Sequence, residues 1–195
     1  MKGITEKEML FMLSIFKSPE KDYSASSISK ILNISRMGAF KIAKKLETEE
    51  MLVSRVIGKA RIYKLNLNKD YVKHYLLMLL SREAEKSQTY VRVWINEIKK
   101  IKNAEAAILF GSILRKKEAN DVDVLFIVKQ DKFEELKKEI EKINKLSIKK
   151  IHPVYQSESD LKKNLYKQDK LIIEAIKGIF VIGEDKFIDL ISENE

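Results

Sequence analysis

The chain has 195 residues, of which 45% are hydrophobic and 34% charged, so it can bury one or two cores beneath a charged surface. It has no cysteine, which excludes disulfides and thiolate metal sites, and it shows neither a signal peptide nor an apolar run of membrane-spanning length. We therefore expect a cytoplasmic protein with no membrane association.

The net charge of +9 is concentrated in the N-terminal third. Residues 1–68 hold 13 Lys and Arg against 7 Asp and Glu, a net charge of +6, whereas residues 69–195 hold 25 against 22. A small basic module of this kind is typical of proteins that face the phosphate backbone of DNA.

Three helices are predicted in this basic module. Thr5 precedes acidic and then apolar residues at helical spacing, which predicts a capped amphipathic helix. A second helix is expected after Ser24, and Asn33 supplies a tight turn. Ser35 then caps a third helix, and two strand-like runs joined around Gly58 predict a β-hairpin.

The order of three helices and a hairpin resembles the winged helix-turn-helix of prokaryotic transcription regulators, across about Thr5 to Asn68. The resemblance implies double-stranded DNA as partner, with the third helix in the major groove and the hairpin against the backbone. The outward side of the third helix also carries Met37 and Phe40. As an alternative, the outward side of the third helix and the hairpin are exposed to solvent or contact another protein. The residues assigned to DNA contact are Ser35, Arg36, Lys41, Lys44, Lys45, Arg55, Lys59 and Arg61.

A helical linker is predicted over residues 69–103, where neither Pro nor Gly occurs. Apolar residues recur there at spacings of three and four between Val72 and Ile101, as in coiled coils. A polar patch over residues 81–89 interrupts this seam, so the segment is either one long helix or two. We expect a homodimer through this seam, although an interdomain core is the alternative.

The most informative motif lies between residues 106 and 128, where two buried-strand patterns flank a turn. The first pattern ends at Gly111-Ser112, whose backbone N–H groups and hydroxyl suit a phosphate. The second begins with Asp121 and Asp123, which project from one face of a strand. Paired carboxylates of this kind repel each other unless a divalent cation lies between them.

Phe110-Gly111-Ser112 followed by Asp121-x-Asp123 resembles the signature of the DNA polymerase β-like (minimal) nucleotidyltransferases, archaeal type, over about residues 104–191. The resemblance implies that Gly111 and Ser112 bind a nucleoside triphosphate. It also implies that Asp121 and Asp123 are catalytic residues that hold Mg²⁺.

Two features depart from that family pattern. The loop between Ser112 and Asp121 has only eight residues, which is shorter than usual in the family. The strand expected around residues 147–155 contains no acid where the family places a third carboxylate, and His152 lies there instead. Both departures favour weak or absent catalysis, and they leave a catalytic or nucleotide-contacting role open for His152.

Together these patterns predict an α+β protein in three parts. They are a winged helix-turn-helix (residues 1–68), a helical linker (69–103), and a nucleotidyltransferase-like mixed sheet flanked by helices (104–195). The expected function is a DNA-binding transcription regulator that binds a nucleotide with a divalent metal. The alternative is an active metal-dependent nucleotidyltransferase, for example one that nucleotidylates a protein as an antitoxin does, targeted by its winged helix.

Overall fold

The computed structural model describes residues 4–192. The chain divides into two compact units, and the division falls between Leu79 and Leu80. This point lies within helix α4 (Asp70–Lys86), so the predicted linker is shared between the two units.

The first unit has the element order of a winged helix-turn-helix. A three-stranded antiparallel sheet with the order β1-β3-β2 packs with the helices. The elements before α4 are α1 (Glu6–Phe16), β1 (Tyr23–Ser24), α2 (Ala25–Ile31), α3 (Arg36–Thr48), β2 (Leu52–Ile57) and β3 (Ala60–Leu65).

The predicted boundary signals of this unit are present. The side chains of Thr5 and Ser24 accept hydrogen bonds from the third backbone N–H of α1 and α2, and both caps are capping boxes. Asn33 has a positive φ of 49° in the turn before α3, and the Ser35 hydroxyl accepts from the Gly38 N–H at 3.0 Å. Together these contacts fix where each helix begins.

The second unit contains a four-stranded mixed sheet with the order β6-β5-β4-β7. Strands β5 and β6 are parallel, and the other two pairs are antiparallel. Its elements after α4 are α5 (Thr89–Ile98), β4 (Ala106–Phe110), β5 (Asp121–Ile127), α6 (Phe133–Leu146), β6 (Lys150–Gln156), α7 (Glu158–Tyr166), α8 (Lys170–Ala175), β7 (Ile179–Ile182) and α9 (Glu184–Ser192).

Helices cover both faces of this sheet. Val122 and Val124 of β5 lie in one hydrophobic cluster with residues of α5 and α6. Leu125 and Ile127, which alternate with them along the strand, are also buried, and α8 and α9 contact β4. The α+β fold with a mixed, helix-flanked sheet is thus confirmed.

The apolar seam of the predicted linker is buried within the chain. Val72, Leu76 and Leu79 have no exposed surface, and Ile98 is also fully buried. The polar patch coincides with the break between α4 and α5, so the segment is two helices. Because the seam is already covered, it no longer supports the homodimer, which stays a prediction.

None of the described helices is both long and apolar enough to cross a membrane.

Candidate functional site

The two predicted acidic residues open strand β5 on one face. Asp121 is exposed, whereas the side chain of Asp123 is 28% exposed. Val122 lies between the two acids and Val124 follows them, and both valines are fully buried. Because successive side chains of a strand point to opposite faces, the valines pack into the core and both carboxylates lie on the other face.

Gly111 lies directly against the second of these acids. It follows the last residue of β4, Phe110, which pairs with Asp123 across the sheet. Gly111 has φ 81° and ψ −155°, a conformation that is essentially restricted to glycine. A Cβ atom at Gly111 would also lie 2.1 Å from Asp123 Oδ2. The residue must be glycine both for its backbone and for the space that the carboxylate occupies.

The loop after Gly111 begins with a short 3-10 turn, Ser112–Leu114. The Ser112 carbonyl accepts hydrogen bonds from the N–H groups of Arg115 and Lys116 at 3.0 and 2.9 Å. Ser112 is exposed, as are Arg115, Lys116 and Lys117. The segment that leads from Gly111 to Asp121 therefore presents a hydroxyl and three cationic side chains, which attract the phosphates of an anionic ligand.

Lys149, which sequence reasoning did not select, holds this short loop in place. Its Nζ donates to the Lys117 carbonyl at 2.7 Å and also to the Ala119 carbonyl. The lysine immediately precedes β6 and reaches across to the other loop. No sequence signal indicated this contact, because the partner atoms are backbone carbonyls about 30 residues away.

His152 stands beside Asp123 on the neighbouring strand. The two residues are in register between β5 and β6, and His152 Nδ1 lies 3.1 Å from Asp123 Oδ1. The imidazole is 73% exposed. Strand β6 contains no acidic residue, so the position next to the acidic pair is occupied by a nitrogen base.

The donor set suits Mg²⁺ bound jointly with a phosphate ligand. Mg²⁺ usually takes one or two carboxylates from the protein and completes its coordination with water and substrate phosphates. Asp121 and Asp123 supply two carboxylates on one strand face. Among residues 4–192 no group of three or more His, Cys, Asp or Glu side chains is arranged to hold a metal. The remaining coordination would therefore come from the ligand and solvent.

Residues 94–177 match the family model described as "Polymerase beta, Nucleotidyltransferase". The matched segment is less than half of the chain and contains the Gly-Ser turn, both acids and His152. A nucleotidyltransferase domain is thus confirmed in this segment, and it begins within α5. No curated protein matches the chain significantly.

Among solved structures, the chain is similar to the adhesin competence repressor AdcR from Streptococcus pyogenes, at 15% identity and a TM-score of 0.38. That match covers 52% of this chain and 70% of the repressor. A mutant of Lactococcus lactis ZitR in complex with DNA matches at 16% identity and a TM-score of 0.31, covering 50% of this chain and 72% of ZitR. At such TM-scores these likenesses support no conclusion about this chain.

Helix α3 of the first unit has one buried and one exposed side. Ala39, Ala43 and Leu46 are buried against the unit's core. Ile42 and Ile34 are only partly buried. The exposed side contains Arg36, Met37, Phe40, Lys41 and Lys44. No carboxylate within residues 4–192 pairs with the three cations of this stripe.

Three of the cations that the sequence assigns to DNA contact form ion pairs within the first unit. Lys45 Nζ lies 2.7 Å from Glu8 Oε1 of α1. Arg55 pairs with Asp22 and Arg61 with Glu47, both at 3.2 Å. Lys59 in the hairpin turn is exposed. The side chains of Arg55 and Arg61 are nevertheless 60% and 52% exposed, whereas Lys45 pairs with a carboxylate that is only 7% exposed.

The Glu8–Lys45 pair fixes α3 to α1. Burial opposes ionisation of Glu8, but hydrogen bonds from Lys45 and from the helix N-terminus outweigh it and lower the pKa of this carboxyl. The hydrogen bond to Glu8 correspondingly raises the pKa of Lys45. Glu8 also accepts from the Thr5 N–H at 2.8 Å, so one carboxylate both caps α1 and orients α3.

Proposed function

We propose that this protein is a DNA-binding transcription regulator whose second unit binds a nucleoside triphosphate together with a divalent cation. The contact between Gly111 and Asp123 is the observation that best supports nucleotide binding. It places the turn that suits a phosphate directly beside the carboxylates that suit a cation.

In this proposal the triphosphate lies on Gly111 and Ser112, and Asp121 and Asp123 hold Mg²⁺. The bound cation would offset the repulsion between the carboxylates and the phosphates. The cationic loop of Arg115, Lys116 and Lys117 attracts the anionic ligand, and Lys149 keeps that loop ordered.

The first unit binds duplex DNA through the exposed stripe of α3 in this proposal. Arg36, Lys41 and Lys44 contact phosphates or base edges, and Lys59 in the turn between β2 and β3 reaches the DNA backbone. Lys45 acts mainly by holding α3 to α1, since it is paired with the buried Glu8 carboxylate. Arg55 and Arg61 are exposed, and their weak surface pairs can be exchanged for contacts with DNA phosphates.

Gel shifts with genomic fragments test this DNA binding. Affinity should fall by orders of magnitude between about 50 and 200 mM salt if about six phosphates are neutralised. Arg36→Ala with Lys41→Ala should weaken binding and flatten that salt dependence. Arg82→Ala with Lys99→Ala removes the same charge from exposed positions of the second unit and serves as the control. Equal binding by both double variants would contradict the proposed interface.

An active nucleotidyltransferase is the second candidate, favoured by the family match over residues 94–177. Nucleotidyl transfer needs a group that accepts the proton of the attacking hydroxyl. Within the site only His152 stands where the family places its third carboxylate. We therefore propose that transfer is slow or absent.

Incubation with a radiolabelled triphosphate tests this ranking. Robust labelling of a protein or nucleic acid that disappears in Asp121→Asn with Asp123→Asn would favour the enzyme instead.

We further propose that the protein is cytoplasmic and acts as a homodimer, so that two winged units contact two half-sites. The dimer contact must use a surface other than the buried seam. Light scattering at micromolar concentration should give twice the chain mass of 22.7 kDa, and a monomer mass would reject the dimer.

A further inference from the structure

Two large apolar side chains lie in the middle of the basic stripe on α3. Met37 is 63% exposed and Phe40 is 46% exposed. Arg36 and Lys41 adjoin them along the helix, and Lys44 lies one turn further on. The opposite side of the same helix already supplies the core contacts, through Ala39 and Ala43.

The place of these two side chains on the helix is informative. Both lie in the first two turns of α3, the part of a recognition helix that contacts base edges. Single exposed apolar residues are ordinary on protein surfaces. Here two of them lie side by side, three residues apart, between cations that suit phosphates. An apolar contact in the major groove discriminates thymine, because only thymine presents a C5-methyl group there.

We infer that Met37 and Phe40 determine sequence preference by packing against the C5-methyl groups of thymines in the major groove. This inference rests on the proposed DNA binding. Side chains three residues apart on a helix have Cβ atoms about 5–6 Å apart. Successive bases of one strand are separated by about 3.4 Å along the duplex axis. The two contacted thymines should therefore lie within about two base-pair steps of each other.

The test begins with selection of bound duplexes from a random pool by the full-length protein. Each thymine of the selected site is then replaced, one at a time, by deoxyuridine, which removes only the methyl group. Affinity should fall about fourfold per contacted methyl, the effect of one buried methylene-sized group. Phe40→Ala and Met37→Ala should each bind more weakly and lose the response to deoxyuridine at one position. Leu171→Ala, an exposed apolar residue of the second unit, should keep the full response.

The outcomes separate the inference from the function on which it rests. If the protein selects no duplex at all, both are wrong. If it binds duplexes with the expected salt dependence, only the inference is overturned by a selected site without thymine or by equal affinity for thymine and deoxyuridine. The inference is likewise overturned if Met37→Ala and Phe40→Ala both lose affinity on replacement of thymine by deoxyuridine as the wild type does. Unchanged thermal unfolding of the variants shows that any loss is not caused by misfolding.

Discussion

Replacing Gly111 with alanine should weaken nucleotide binding strongly while the second unit stays folded. The added Cβ would lie 2.1 Å from Asp123 Oδ2, although real Cβ atoms essentially never approach closer than 3.0 Å. The carboxylate must therefore retreat by about 1 Å, or the backbone must move. Alanine is also strained at φ 81° and ψ −155°, by about 1–3 kcal/mol.

These two effects have different readouts. The backbone strain lowers the thermal stability of the second unit, whereas the displaced carboxylate affects only ligands that depend on Asp123. Displacing a precisely positioned group by about 1 Å can lower the rate of a reaction by about 100-fold. We expect the affinity for a triphosphate with Mg²⁺ to fall by about 10- to 100-fold, which is about 1.4–2.7 kcal/mol.

Gly58→Ala provides the matched control. Gly58 has a positive φ of 59°, but a Cβ there would meet no atom within 4 Å. This variant carries backbone strain of about 1–2 kcal/mol without displacing a side chain. Calorimetry should find its nucleotide affinity unchanged. Wild-type affinity in Gly111→Ala, or equal losses in both variants, would refute the reasoning from the Gly111–Asp123 contact.

Two further predictions concern lysines whose contacts lie within a unit. Because the pKa of Glu8 is lowered in the folded protein, the stability from its pair with Lys45 is present above the ordinary carboxyl pKa and is lost as the pH falls through the lowered value. The free energy of unfolding in urea should therefore fall between about pH 6 and about pH 3. In Glu8→Gln this fall should be smaller, because the titrating carboxyl is absent. Lys45→Met should lower the free energy of unfolding by about 1–3 kcal/mol at neutral pH, because it leaves the Glu8 carboxylate buried without its cation. An unfolding free energy equal to that of the wild type would argue against a stabilising pair. Lys149→Met should increase hydrogen exchange over residues 115–119 and weaken nucleotide binding a few-fold, whereas the exposed Lys145→Met should do neither.

The helix starts and the site strands could be predicted because their signals are local. Thr5, Ser24 and Ser35 each cap a helix, because the side-chain hydroxyl accepts a hydrogen bond from the backbone N–H three residues later. The placement of Asp121 and Asp123 on one face follows from the two-residue period of a strand. In each case the residues that decide the structure are close neighbours in the sequence.

Contacts between distant segments could not be predicted in the same way. Lys45 looks like any other cation of a basic helix, and only the fold brings it to Glu8, 37 residues earlier. The approach of Gly111 to Asp123 and that of His152 to the same carboxylate depend on strand pairing and register. The apolar seam between Val72 and Ile101 was ambiguous because burial within one chain and burial in a dimer require the same spacing.

Calorimetric titration of nucleoside triphosphates into the full-length protein, with and without Mg²⁺, tests the central claim most directly. The Asp pair and the phosphates repel each other without a cation, so binding should require Mg²⁺. Asp121→Asn with Asp123→Asn should abolish the cation-dependent heat while the thermal unfolding of the protein stays unchanged. Failure of every triphosphate to bind at millimolar concentration with Mg²⁺, or equal binding by wild type and the double variant, would contradict the account.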